Sequence, residues 1–276
     1  MKFIPRQIKE NVNISQTFPL KEFFVLLGGI SGILFALYLI LGFALDIIID
    51  RMPLGFEQRL GGFFSKKFSF LETSSEVELA AQKLVDDLAS YLAKASYQFR
   101  VHIIEEEKIN AVALPGGHIL VYSGLLEEIE TENELAMVLA HELGHFANRD
   151  HLRGMGRGLV AAAFSSFIFG FDSAVNNFMM KMLLTTDRRF SRQQEAAADS
   201  FAVDLLYKKY GHVAGAIEFF GHLDEYAKSI PGFLKYFLTH PLHTKRIELL
   251  RKRIASMGYE TKESIPLDPV YKKGEE

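Results

Sequence analysis

The chain contains no cysteine. A disulfide framework and thiol chemistry are therefore both excluded, and the absence fits either side of a membrane. A surplus of charge of one sign is also missing: 31 Lys and Arg stand against 34 Asp and Glu, for a formal net charge of −3. That balance gives no indication of a nucleic-acid partner. No internal repeat is visible. The 276 residues suffice for one main domain and a small appendage.

A long apolar run is present instead. Phe23 to Leu45, FFVLLGGISGILFALYLILGFAL, carries no charge over 23 residues. At about 1.5 Å per residue such a helix reaches roughly 34 Å, enough to cross a bilayer. It is longer than the usual apolar region of a signal peptide, and no A-x-A-like cleavage site follows, so an uncleaved anchor is expected. Lys2, Arg6, Lys9 and Lys21 precede the run, while Arg51 and Arg59, then Lys66 and Lys67, follow it. The positive-inside rule places the N-terminus in the cytoplasm and the bulk of the chain on the extracytoplasmic side.

His141-Glu142-Leu143-Gly144-His145 spells H-E-x-x-H. On a helix, positions four apart lie on one face, so two imidazoles at that spacing can grip one zinc ion. The glutamate then sits beside the open coordination position, where it can take a proton from water. Thr131-Glu132-Asn133-Glu134 reads as a capping box, and Leu135, Val138, Leu139, Leu143 and Phe146 form an apolar stripe behind it. The helix is predicted to run to about Asp150 or a little beyond. The competing reading is a core helix whose histidines are satisfied by ordinary hydrogen bonds.

Two histidines need a third protein ligand. Ser191-Arg192-Gln193-Gln194 is a second capping-box pattern, opening a helix through Glu195, Ala196, Ala197, Ala198 and Asp199. Glu195 and Asp199 share a face, and the alanines between them permit close approach to another helix. Glu195 is the candidate third ligand. Asp199 is the candidate acceptor for the free ring N–H of a ligating histidine. A solvated acidic face is the alternative, but the surrounding alanines and Phe201 argue for burial, where paired carboxylates without a cation are costly.

HELGH, followed some fifty residues later by Phe190-Ser191-Arg192-Gln193-Gln194-Glu195-Ala196-Ala197-Ala198-Asp199, resembles the zinc metallopeptidases of family forty-eight. This gluzincin group includes the CAAX prenyl proteases, the HtpX-type heat-shock peptidases and a mitochondrial inner-membrane quality-control peptidase. Asn110-Ala111-Val112-Ala113-Leu114-Pro115-Gly116-Gly117 resembles the family's strand and turn, and His240-Pro241 with Arg246-Ile247 resembles its late H-P-x(4)-R-I signature. The resemblance runs from about residue 75 to 255. It implies one zinc ion per chain held by His141, His145 and Glu195, with Glu142 as general base and Asp199 behind the ligands. His240 precedes a proline favoured at a helix start and is a candidate oxyanion donor. In related peptidases this histidine either stabilises the transition state or caps the zinc, and an N-cap without a catalytic part is the third reading.

The fold expected is α+β and mainly helical: a zincin-like domain with a small sheet beside the active-site helices, plus one N-terminal transmembrane helix. Residues 1–22 form a flank, 23–45 the anchor, 46–74 a connector, 75–258 the peptidase domain and 259–276 a polar, frayed tail. Within the domain, 75–96 reads as an amphipathic helix and Tyr97 to Glu105 as a strand. The apolar stretch 159–184 reads as a lid or membrane-contacting hairpin. Asn110, Ala111, Val112 and Ala113 belong to a strand that an extended substrate could join, and His118 is expected at the surface. The function implied is a membrane-anchored zinc endopeptidase acting on peptides or proteins, including misfolded envelope or membrane proteins, in contact with membrane lipid. A chaperone-like binding protein and a dedicated processing peptidase are the alternatives.

Overall fold

The computed structural model describes residues 18–59, 75–92, 97–169, 190–221 and 244–272. The chain divides into two compact units, one up to Ala44 and one from Leu45 onward. The first holds most of helix α1 (Pro19–Arg51). Its apolar side chains, Phe23, Phe24, Ile33, Phe35 and Phe43 among them, are exposed. Among the described residues α1 is the one helix long and apolar enough to cross a membrane, with a mean hydropathy of 2.5 over an 18-residue window.

The second unit opens with the end of α1 and continues into α2 (Glu76–Ser90), whose N-terminus is capped where the Ser75 hydroxyl accepts the Glu78 N–H. Its apolar face, Ala81, Leu84, Val85 and Leu88, is buried. Three strands follow: β1 (Arg100–Ile104), β2 (Ala111–Leu114) and β3 (His118–Tyr122), in the order β1-β3-β2. β1 runs parallel to β3, and β2 runs antiparallel to it with Ala113 opposite Ile119. The β2–β3 turn needs its glycines. Gly116 and Gly117 have φ of 87° and 90°, and a Cβ on Gly117 would lie 2.6 Å from the Gln98 carbonyl oxygen.

The two sheet edges differ. The Gln82 side chain accepts the Val101 N–H and donates to the Phe99 carbonyl, so its amide covers the outer edge of β1 as another strand would. β2 forms the other edge.

Helices α3 (Ser123–Glu128), α4 (Glu132–Ala147), α5 (Asp150–Phe169), α6 (Arg192–Tyr210) and α7 (Thr244–Met257) complete the unit. α4 is the central element: Asn133 to Phe146 are all buried. Leu135, Leu139, Leu143 and Phe146 belong to one core with Val85 and Leu88 of α2 and Ala202, Val203 and Leu206 of α6. The architecture is thus mainly helical with a small three-stranded sheet, as expected.

Four expectations differ. α4 stops at Ala147, short of Asp150, because Arg149 takes a left-handed conformation (φ 55°) and α5 begins anew at Asp150. No glycine or proline announces that stop. Its cause is tertiary: the Arg149 guanidinium donates to the carbonyls of Ile49 and Met52 at the end of α1, at 2.6 and 2.7 Å. For the same reason residues 46–59 are not a loose connector. Ile49 is buried with Leu114, Leu120, Leu152 and Met155, and Glu57 is buried against His151 (2.7 Å) and the Tyr97 hydroxyl (2.6 Å).

The segment expected as a frayed tail is also packed, as far as Lys272. The Ile265 carbonyl accepts the Glu132 N–H, the Glu130 carbonyl accepts the Leu267 N–H, and Tyr271 is buried in the core. This strap occupies the Glu132 donor at the N-terminal end of α4, a role that its polar composition hides. Residues 159–169 belong to α5, whereas 170–184 of the expected lid, 60–74 of the connector and 273–276 lie outside the described residues.

The fourth difference is His118, which is buried rather than at the surface. Its Nδ1 lies 2.9 Å from Nε2 of His102, whose Nδ1 faces Glu78 at 3.5 Å. Burial, then the neighbouring His102 and Arg100 charges, push its pKa from 6.5 down to about 4. The folded state thus resists a proton that the unfolded chain accepts. Stability present above pH 6.5 is expected to fall as the pH drops from 6.5 through 4. Urea midpoints measured across that window should drop less steeply for His118→Gln; an unchanged slope would remove His118 from the account.

Candidate metal centre

The H-E-x-x-H segment lies in the C-terminal half of α4. The capping box at its N-terminus is formed as read from sequence: Thr131 accepts the Glu134 N–H, and the Glu134 carboxylate accepts the Thr131 N–H. α6 starts the same way, with Ser191 and Gln194 exchanging hydrogen bonds. Each cap fixes where its helix begins, and hence which residues face the other helix.

Close approach between α4 and α6 depends on Gly144. A Cβ there would lie 2.9 Å from Ala198 Cα and 3.1 Å from the Ala198 carbonyl oxygen. The small residues in HELGH and in the AAAD run thus meet backbone to backbone. That crossing brings His141 and His145 beside Glu195 and Asp199, all of them buried.

The donor atoms converge. His141 Nε2 lies 3.1 Å from His145 Nε2, and the Glu195 oxygens lie 3.6 Å from the first and 3.7 Å from the second. One ligand atom from each of His141, His145 and Glu195 falls within 4.8 Å of the other two, so the trio could hold a metal ion. Each histidine has its other nitrogen against a carboxylate: His141 Nδ1 is 3.0 Å from Asp199 Oδ1, and His145 Nδ1 is 3.0 Å from Asp150 Oδ2. A carboxylate there keeps the proton on Nδ1 and turns the Nε2 lone pair inward.

Asp150 was not singled out from sequence. It lies beyond the helix break at Arg149, and helical periodicity does not reach it. Gln194 Nε2 donates to its second oxygen at 2.7 Å, linking α5 to the cap of α6. Phe190 stacks on the His145 ring, centroids 3.9 Å apart.

Glu142 is buried and points toward β2, where its Oε2 accepts the Ala113 N–H at 2.8 Å. The edge strand and the glutamate are therefore neighbours. Arg246, on α7, donates through Nε and Nη2 to both oxygens of Asp199 (2.8 and 2.7 Å), while its Nη1 lies 2.7 Å from Glu195 Oε2. Burial would raise the Asp199 pKa, but the Arg246 charge and the His141 hydrogen bond outweigh it and hold the carboxyl below its ordinary value. His240 and Pro241 lie outside the described residues.

The model of peptidase family M48 matches residues 75–254. The chain is similar to the metalloprotease LoiP of Escherichia coli, 28% identical over 200 residues that make up 70% of this chain and 76% of that protein. It is similar to a putative beta-barrel assembly-enhancing protease of Vibrio cholerae, 34% identical over 56% of this chain and 34% of that protein. It also resembles the mitochondrial metalloendopeptidase OMA1 of Bos taurus, 29% identical over 56% of this chain and 32% of that one. The chain thus spans about a third of the latter two relatives. The matched stretch contains α4, α6 and the whole His141, His145 and Glu195 trio, and on that ground the chain belongs to peptidase family M48 and is a metalloendopeptidase.

Proposed function

We propose that the chain is a membrane-anchored zinc endopeptidase that cleaves misfolded envelope or membrane proteins. The observation that carries the zinc reading is the pair of inward-turned Nε2 atoms at 3.1 Å with Glu195 beside them. Two nitrogens about 2.1 Å from one zinc in a tetrahedron lie roughly 3.4 Å apart. Two imidazoles and one carboxylate, with no thiolate, are also the donor set of catalytic zinc sites.

Zinc bound there would supply an activated water and a Lewis acid for the scissile carbonyl. Glu142 accepts the proton of the attacking water and returns it to the leaving amine. An extended substrate adds to the outer edge of β2 along Ala111 and Val112, up to the Ala113 N–H that Glu142 takes, and so lies next to Glu142. Recognition through backbone favours broad specificity, which suits unfolded substrates. His240, from its motif, is assigned to the oxyanion or to a capping position over the metal.

The N-terminus lies in the cytoplasm and the catalytic unit across the membrane. Protease protection in spheroplasts tests this: digestion of the catalytic unit only after lysis would reverse it. Casein or labelled-peptide cleavage by the purified full chain should stop with a chelator and resume with zinc. Substrate binding without cleavage under every metal condition would favour the chaperone-like alternative, for which Glu142 has no use.

Asp150→Asn should weaken zinc binding by about 10–100-fold, the usual effect of losing a partner behind a ligand. Competition against a chromogenic chelator reads this directly. Unchanged affinity would make the Asp150 contact incidental.

A further inference from the structure

The Arg246 guanidinium is buried and is engaged on three sides. Nε and Nη2 form a fork with Asp199, Nη1 reaches Glu195 Oε2, and the Phe220 ring lies 5.1 Å from its carbon. Asp199 Oδ1 is shared between this fork and Nδ1 of His141. One cation thus touches both the candidate ligand Glu195 and the residue that orients the candidate ligand His141. It does so from α7, a helix that contributes no ligand of its own.

Two carboxylates, 1% and 2% exposed, sit one turn apart on α6. A close pair of carboxylates in such a place is costly without a partner, and Arg246 lies against both. A divalent ion at the trio would supply charge, but only after the trio has formed. Arg246 is covalently part of the chain and arrives with the fold. Its planar fork fixes the direction of the Asp199 carboxylate, which a lysine's point charge does not do, while Nη1 forms an ion pair with Glu195.

We propose that Arg246 is a positioning residue that assembles the metal centre ahead of the metal: it aims Asp199, and through it His141, and sets Glu195 in place, so that the ion enters a site already built. This rests on reading the trio as a metal site. Without Arg246 the two carboxylates lose that alignment, and the ion must order the site as it binds.

The test is thermal unfolding of the full-length chain in detergent, with excess chelator or with excess zinc, for the wild type, Arg246→Gln and Arg246→Lys. Arg246→Gln is expected to lower Tm in chelator and to lower it further in zinc, because a site no longer built in advance binds the ion more weakly. Its zinc-induced rise in Tm should thus fall short of that of the wild type by at least about 5 °C. Arg246→Lys, which keeps the charge and loses the fork, should show the same pattern at smaller size. It carries the test if the glutamine variant fails to fold in either condition. An equal loss in chelator and in zinc would mean that Arg246 is an ordinary structural residue and would overturn the inference, as would no loss in either. A wild type that gains nothing from zinc would instead remove the metal reading, and this inference with it.

Discussion

Glu142→Gln is expected to lower kcat by roughly 10²–10⁴-fold, the span associated with losing a general base, while metal content stays that of the wild type. The substitution is nearly isosteric, and the amide oxygen of glutamine can still accept the Ala113 N–H that the Glu142 carboxylate takes at 2.8 Å. Helix α4 and the two imidazoles should therefore keep their places. What glutamine cannot do is take up a proton. The measurement is peptide turnover together with metal content per chain and a melting curve on the same sample. Wild-type turnover in the variant would end the proposed mechanism. Loss of metal alongside loss of turnover would assign Glu142 a structural part instead.

Gly144→Val should be strongly damaging although the residue takes no part in the chemistry. Its Cβ would lie 2.9 Å from Ala198 Cα and 3.1 Å from the Ala198 carbonyl oxygen, both helix backbone atoms rather than parts of a flexible side chain. Relief requires α4 and α6 to part. Overpacking of this kind costs about 1–3 kcal/mol, and a contact with a helix backbone belongs at the upper end. Parting the helices also separates His141 and His145 from Glu195. Metal affinity should therefore fall further than stability does, whereas an overpacked site remote from the centre would lower stability alone. Urea unfolding and chelator competition on one preparation separate the two effects. Stability reduced by about 3 kcal/mol with unchanged metal affinity would show that the close approach does not position the trio.

His141, Glu142 and His145 were readable because their spacing matches one helical turn, and Glu195 and Asp199 because the same rule applies on α6. Both helix starts were readable because capping boxes are local. Asp150, Arg246, Glu57 and the buried His102–His118 pair were not read in their structural parts, although Arg246 stood in a recognised motif. Their partners are set by how helices cross: Glu57 meets His151 across 94 positions, and Arg246 meets Asp199 across 47. No period in the sequence records such distances. The end of α4 was misplaced for the same reason, since it is fixed by Arg149 reaching carbonyls about a hundred residues earlier.

That contact bears on how the enzyme can be excised. The family match begins at residue 75, and a cut there would look natural. It would remove Ile49 from its apolar neighbours and Glu57 from His151, and leave the Arg149 guanidinium without the carbonyls of Ile49 and Met52. His151 Nδ1 also lies 3.4 Å from the carbonyl of His145, so the damage would reach the candidate metal centre. A fragment freed from its apolar helix should begin near Leu45, where the compact unit itself begins.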